Sequence, residues 1–235
     1  MSIRVGCTLG VLYERCSSED SLRYLRKAGV TTIELNQSMG TPGAVDIAAF
    51  PWELTKGLEH VSIHAPAHAY GTDAQTDKIF ECIRYIHQQC PVSYVVVHPD
   101  TVHDFSVFEK LGIPIAFENM DWRKGSHKTP AEMQELLDRE PDAGMVLDVN
   151  HIYTNDRTME SVDDFYRLCG DRIVGIHVSG FETLHEPLYR TQQQNIVVAI
   201  KNVSVPIIIE SQLQQPEEIE LEVEYVKSAV NALCL

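Results

Sequence analysis

Six residues able to transfer protons or bind a metal, His64, His98, Glu118, Asp148, His177 and Glu210, each follow directly on a short apolar run. Their mean separation is roughly 29 residues, the size of one strand and helix unit in a parallel barrel. Imidazoles and carboxylates together, with no thiolate among them, suit a divalent ion such as Zn²⁺, Mn²⁺ or Mg²⁺. More histidine favours zinc and more oxygen favours manganese or magnesium; this mixture does not choose. His151, three residues past Asp148, and His185, in the stretch after His177, are further candidates. A lone histidine is usually a hydrogen-bonded structural residue. Carboxylates converging from several strands differ, because only a cation offsets their repulsion.

The elements that must position these residues follow from the pattern. Residues 3–9, 30–35, 61–63, 94–97, 113–117, 144–147, 173–176 and 205–209 are apolar and rich in β-branched side chains, without alternation, as in strands covered on both faces. Helical stretches over 18–28, 76–89, 130–139, 161–168, 196–202 and 217–232 lie between them. The fourth unit, around 104–111, is short, and its helix is the least marked. This alternation predicts an α/β fold, a (β/α)8 TIM barrel forming a single domain over residues 1–235. An open doubly wound sheet is disfavoured, since neither G-x-G-x-x-G nor a P-loop is present. In a parallel barrel the C-terminal ends of the strands converge on one cleft, where the six residues would meet.

Composition narrows the functions. The 235 residues are 44% hydrophobic and 23% charged, which excludes collagen-like and disordered classes. A net charge of −15 would repel a polyanion, which disfavours duplex DNA as a partner. The six cysteines form no C-x-x-C pair and read as free thiols of a reducing cytoplasm. Neither a signal peptide nor a membrane span is visible, so a cytoplasmic location is expected.

The fragments Ser62-Ile63-His64-Ala65-Pro66, Val97-His98-Pro99, Phe117-Glu118-Asn119, Leu147-Asp148-Val149-Asn150-His151, Gly175-Ile176-His177 and Ile208-Ile209-Glu210-Ser211 resemble the strand-end motifs of the xylose isomerase-like TIM-barrel superfamily. That superfamily contains sugar isomerases and epimerases, and also the endonuclease IV family. The isomerase branch implies one divalent metal held by Glu118, Asp148, His177 and Glu210. Glu118 and Glu210 would then move protons, and His151 would touch substrate. The endonuclease IV branch, the AP endonuclease type, implies several zinc ions, with His64, His98, His151 and His185 as added ligands. Three departures weigh against DNA repair. Thr183 stands where that family has an aspartate, Ala67 stands where it has a tyrosine, and the stretches after the first two strands carry a single basic residue, Arg15, with none over 36–50.

The expected activity is therefore metal-dependent isomerisation or epimerisation of a small polyol, sugar or sugar phosphate, with no organic cofactor. A multi-zinc phosphoester hydrolase is the alternative, and a non-catalytic metal or sugar-phosphate binding barrel is a third reading. His64, His98, Trp122, Arg123 and Arg190 are the expected substrate contacts; Arg190 lies in the seventh loop, where barrels often bind phosphate. Glu34 ends the second strand and either faces the cleft or only caps the rim; it is not expected to bind metal. His60 precedes its strand and belongs to the opposite face. The acidic run 217–224 reads as a solvated helix face.

Overall fold

Strands apolar on both faces need cover inside and out, and a closed parallel barrel wrapped by helices supplies both. In the computed structural model, which describes residues 3–12, 16–36, 47 and 49–233, eight parallel strands close into such a barrel in sequence order. They are β1 (Val5–Thr8), β2 (Thr32–Asn36), β3 (His60–His64), β4 (Val95–Val97), β5 (Ile115–Glu118), β6 (Gly144–Asp148), β7 (Ile173–Val178) and β8 (Ile207–Ile209). Each corresponds to one of the eight apolar runs, and the (β/α)8 expectation holds. Cys7, Cys16, Cys82, Cys90 and Cys169 form no disulfide. Among the described residues no helix is long and apolar enough to cross a membrane.

The barrel has two apolar layers. A large one packs the outward strand faces against the helices, and a small one, Tyr94, Val96, Ala116 and Val146 with Val174, plugs part of the bore. Gly175 is required there: a Cβ at this position would lie 2.1 Å from the Tyr94 hydroxyl oxygen, so any larger residue would evict the ring. A register shift between Met145 and Val146 aligns Asp148 with His177 on the neighbouring strand.

The helices are α1 (Ser18–Lys27), α2 (Ala74–Gln89), α3 (Pro130–Arg139), α4 (Val149–Asn155), α5 (Val162–Cys169), α6 (Leu188–Thr191), α7 (Gln194–Val197) and α8 (Glu218–Leu233). Their starts are set by side-chain caps: Ser17 for α1, Asp73 for α2, and for α3 a Thr129 and Glu132 capping box with proline in the first turn. In the fourth unit only 3₁₀ turns form, over Phe105–Lys110. The helix expected over 196–202 is instead the single turn of α7. The Tyr166 hydroxyl donates to the Ala199 carbonyl (3.1 Å) and accepts from the Lys201 amide (3.0 Å), which occupies backbone groups a longer helix would use.

The solvated reading of 217–224 is corrected for two of its glutamates. Glu218 and Glu222 are buried, whereas Glu217, Glu220 and Glu224 face solvent. The Glu222 carboxylate accepts from the amides of Leu188 (2.8 Å) and Tyr189 (2.9 Å) and from the Ser211 hydroxyl (2.5 Å). It thus caps the first turn of α6 and fastens the seventh loop to the C-terminal helix. Glu222→Ala would strand three donors, two of them backbone amides, and should lower stability by about 2–4 kcal/mol in urea unfolding. A loss under about 0.5 kcal/mol would place the seventh loop's support elsewhere.

Candidate metal centre

Strand direction and register bring the ionisable residues to one end of the barrel. Glu118 is the last residue of β5, Asp148 the last of β6, His177 lies near the end of β7, and Glu210 follows β8. One donor atom from each of these four lies within 4.8 Å of the others. His177 Nδ1 is 3.3 Å from Glu118 Oε1 and 3.3 Å from Glu210 Oε1. Asp148 also caps α4, its Oδ1 accepting from the His151 amide at 2.8 Å, so the other oxygen is aimed by the helix start.

The histidines complete a second group on the same glutamate. His64 Nε2 and His98 Nε2 approach Glu118 Oε2 at 3.3 Å and 3.0 Å, so Glu118 offers one oxygen to each of two ligand groups. The His151 ring donates from Nδ1 to the Asn119 carbonyl (2.8 Å), which leaves Nε2 for the cleft. His185 is held through Nδ1 by the Ser179 hydroxyl at 2.9 Å, with its ring 6.3 Å from that of His151. His64, His98, Glu118, His151, His185 and Glu210 line one cleft of about 170 Å³.

Other expected contacts fare differently. Arg123 reaches the mouth of this cleft but is already paired with Asp121, and its neighbour Lys124 is paired with Asp100 at 3.1 Å. Trp122 is 59% exposed and is not among the residues lining the cleft. Arg190 is not among the residues lining the cleft, and its guanidinium is bound to Glu218 and the Tyr189 hydroxyl. Thr183 donates its hydroxyl to Glu186, which also accepts from the backbone amides of residues 182–184.

Several residues support the site in ways the sequence reading did not assign. Asn119 bridges β5 to β6 by donating to the Asp148 carbonyl (2.9 Å) and accepting from its amide (2.8 Å). Asn150 donates to the Gly180 carbonyl at 2.7 Å and ties the seventh loop to α4. Ser62 and Glu34 point into the barrel beneath the site, their side chains joined at 2.8 Å. Strand alternation was the available signal for Ser62, two residues before His64 on the same face. Glu34 does not cap the rim: it is fully buried.

Burial and charge act against each other throughout the site. Burial pushes the Asp148 carboxyl up to about 8, and the nearby Glu118 and Glu210 add to it. Burial opposes charge on Glu118 as well, yet His177, His64 and His98 outweigh it and hold the carboxyl well below its usual range. His64 is desolvated, but Glu118 and the other carboxylates carry it to about 9. For His177, burial is likewise overcome, by Glu34, Glu210 and Glu118, and the ring stays protonated well above its ordinary range. Asp148 Oδ2 is buried without a hydrogen-bond partner. Three carboxylates sharing a buried space, one driven to protonate and carrying a bare oxygen, form a donor set that fits a divalent cation.

Comparison with known proteins agrees with this architecture. Residues 104–192 match the family described as xylose isomerase-like TIM barrel. The fold is shared with L-ribulose 3-epimerase (TM-score 0.70, 15% identity, covering 100% of this chain and 96% of that one). It is shared also with the AsfvAP:AG crystal structure (TM-score 0.67, 14% identity, 100% of both chains). A further similar structure is the IolI protein with a bound zinc atom (TM-score 0.62, 15% identity, 98% of this chain and 96% of that one). No curated protein matches significantly in sequence.

Metal uptake should release protons, because His177 and Asp148 hold protons at neutral pH that a ligand cannot keep. Apparent affinity for Mn²⁺ should therefore climb at least about tenfold per pH unit between roughly pH 6.5 and 8, read by competition with a chelator. A flat profile would contradict the assigned protonation of the metal-free site.

Proposed function

We propose that this xylose isomerase-like TIM barrel is a divalent-metal-dependent isomerase or epimerase of a small sugar. The observation that carries this reading is the pair Glu118 and Glu210, two carboxylates at the ends of different strands that each lie 3.3 Å from the same nitrogen of His177 and border the same cleft. Epimerisation needs a base on one face of a carbon and an acid on the other, and two carboxylates across a narrow cleft can fill both roles. When bound by Glu118, Asp148, His177 and Glu210, the divalent ion supplies polarisation of the substrate's carbonyl and hydroxyl oxygens, which acidifies the adjacent C–H bond.

The remaining work falls to the chain. Glu210 is more open to the cleft than Glu118; in this proposal it takes or returns the proton from the cleft side, and Glu118 is assigned the opposite face. His151 Nε2, its ring fixed by the Asn119 carbonyl, orients a substrate oxygen. A cleft of about 170 Å³ suits a monosaccharide better than a larger ligand. The basic side chains at its mouth, Arg123 and Lys124, are already neutralised by Asp121 and Asp100, so an uncharged sugar is favoured over a phosphorylated one. The likeness of fold to L-ribulose 3-epimerase and to zinc-bound IolI supports the same reading.

A second reading rests on the His64, His98 and Glu118 group. If it holds another ion beside the first, the site becomes that of a phosphoester hydrolase. Under this reading the protein hydrolyses bis(p-nitrophenyl) phosphate, and His98→Asn abolishes that hydrolysis while leaving the first ligand group intact.

The isomerase reading is tested with a panel of ketopentoses and ketohexoses incubated in D₂O with Mn²⁺, Mg²⁺ or Zn²⁺. Proton NMR should record deuterium entering one carbon beside the carbonyl. Glu210→Gln should slow this exchange by roughly 10²–10⁴-fold with the circular dichroism of the barrel unchanged. Near-normal exchange in Glu210→Gln would remove Glu210 from the chemistry, and metal or sugar binding without exchange across the panel would favour a binding protein.

A further inference from the structure

Beneath the ligand group lies a carboxylate that the proposed chemistry does not use. Glu34, on β2, is 0% exposed. Register places it opposite Ser62 on β3, whose hydroxyl donates to Glu34 Oε2 at 2.8 Å. The same oxygen lies 3.2 Å from His177 Nε2. Glu34 Oε1 has no hydrogen-bond partner. A carboxylate is a costly choice for a buried strand position with half its acceptors unused, where an apolar side chain would pack at no such cost. Glu34 belongs to none of the groups whose donor atoms converge, so it is not itself placed to ligate with them.

The two nitrogens of His177 face different partners. Nδ1 faces Glu118 and Glu210, the ligand side, and Nε2 faces Glu34, on the floor of the barrel. A ligating imidazole must present one bare nitrogen and keep its proton on the other, and the partner of the second nitrogen decides which is which. An ionised carboxylate only accepts, so Glu34 can satisfy Nε2 only when Nε2 carries hydrogen. Ser62 commits its own hydrogen to that same oxygen and holds it in place.

We propose that Glu34 is the positioning residue of the centre: held by Ser62, it keeps the proton of His177 on Nε2, fixes the ring in its plane and makes Nδ1 the metal-binding nitrogen. This rests on the metal-centre reading above. Glu34 touches no substrate and moves no proton during turnover; it acts through His177 alone.

The test compares wild type, Glu34→Gln and Ser62→Ala by two readouts that do not depend on turnover. One is affinity for Zn²⁺ by competition with a chromophoric chelator. The other is the ¹⁵N shifts of the His177 imidazole, assigned by their loss in His177→Asn. In the zinc-loaded wild type, Nε2 should be the protonated nitrogen and Nδ1 the metal-bound one. Glu34→Gln, whose amide can donate as well as accept, should bind zinc roughly 10–100-fold more weakly and lose the single tautomer. Ser62→Ala should shift both readouts in the same direction by a smaller factor, and it carries the test if Glu34→Gln does not fold. Folded variants with wild-type affinity and an unchanged tautomer would overturn the proposal. A wild-type chain that binds no metal would overturn the reading beneath it instead.

Discussion

Mutual repulsion among Glu118, Asp148 and Glu210 is the constraint on which this structure turns. Three acids from three places in the chain are brought within reach of one imidazole, in a space with little water to screen them. Like charges so close and so buried cannot all ionise unless cations join them. Burial and the neighbouring carboxylates push the Asp148 carboxyl up to about 8, and the surrounding carboxylates hold His177 and His64 protonated above their ordinary range. In the proposed centre a divalent ion would replace these protons, and the repulsion among the three carboxylates would become metal affinity.

The barrel bears that load through a few specific contacts. The register shift in β6 sets Asp148 beside His177, and Asn119 locks the ends of β5 and β6 together through paired bonds with the Asp148 backbone. Gly175 leaves room for Tyr94 to fill the bore below, so the floor under the ligands is solid on one side. On the other side the floor is polar, with Glu34 and Ser62 under His177. The seventh loop, which carries His185, is held by Asn150 from one direction and by Glu222 from the other. Ligand placement is thus a property of the strands, and access to the ligands a property of the loops.

Much of this was legible in the sequence, for a physical reason. Parallel strands buried on both faces leave continuous apolar runs, and the residue that ends each run is where a barrel displays its chemistry, so His64, His98, Glu118, Asp148, His177 and Glu210 could be found together. What escaped depended on contacts distant in sequence. Arg190 reads as a phosphate contact until Glu218, 28 residues on, is seen to hold it. Glu222 looks like one more surface acid until α6 is found to begin on it. Glu34 stays undecided between cleft and rim because nothing local reveals that His177, 143 residues away, lies across the bore. The residues 196–202 have a helical pattern, but Tyr166 claims the backbone groups a longer helix would need.

The proposed centre is tested most directly by anomalous diffraction from crystals grown with Mn²⁺, collected above and below the manganese edge. An anomalous peak is expected at bonding distance from Glu118, Asp148, His177 and Glu210, with His177 bound through Nδ1. A second peak among His64, His98 and Glu118 would shift the chemistry toward phosphoester hydrolysis. No peak within the four-residue group, at metal concentrations that saturate ordinary carboxylate and histidine sites, would contradict the central claim.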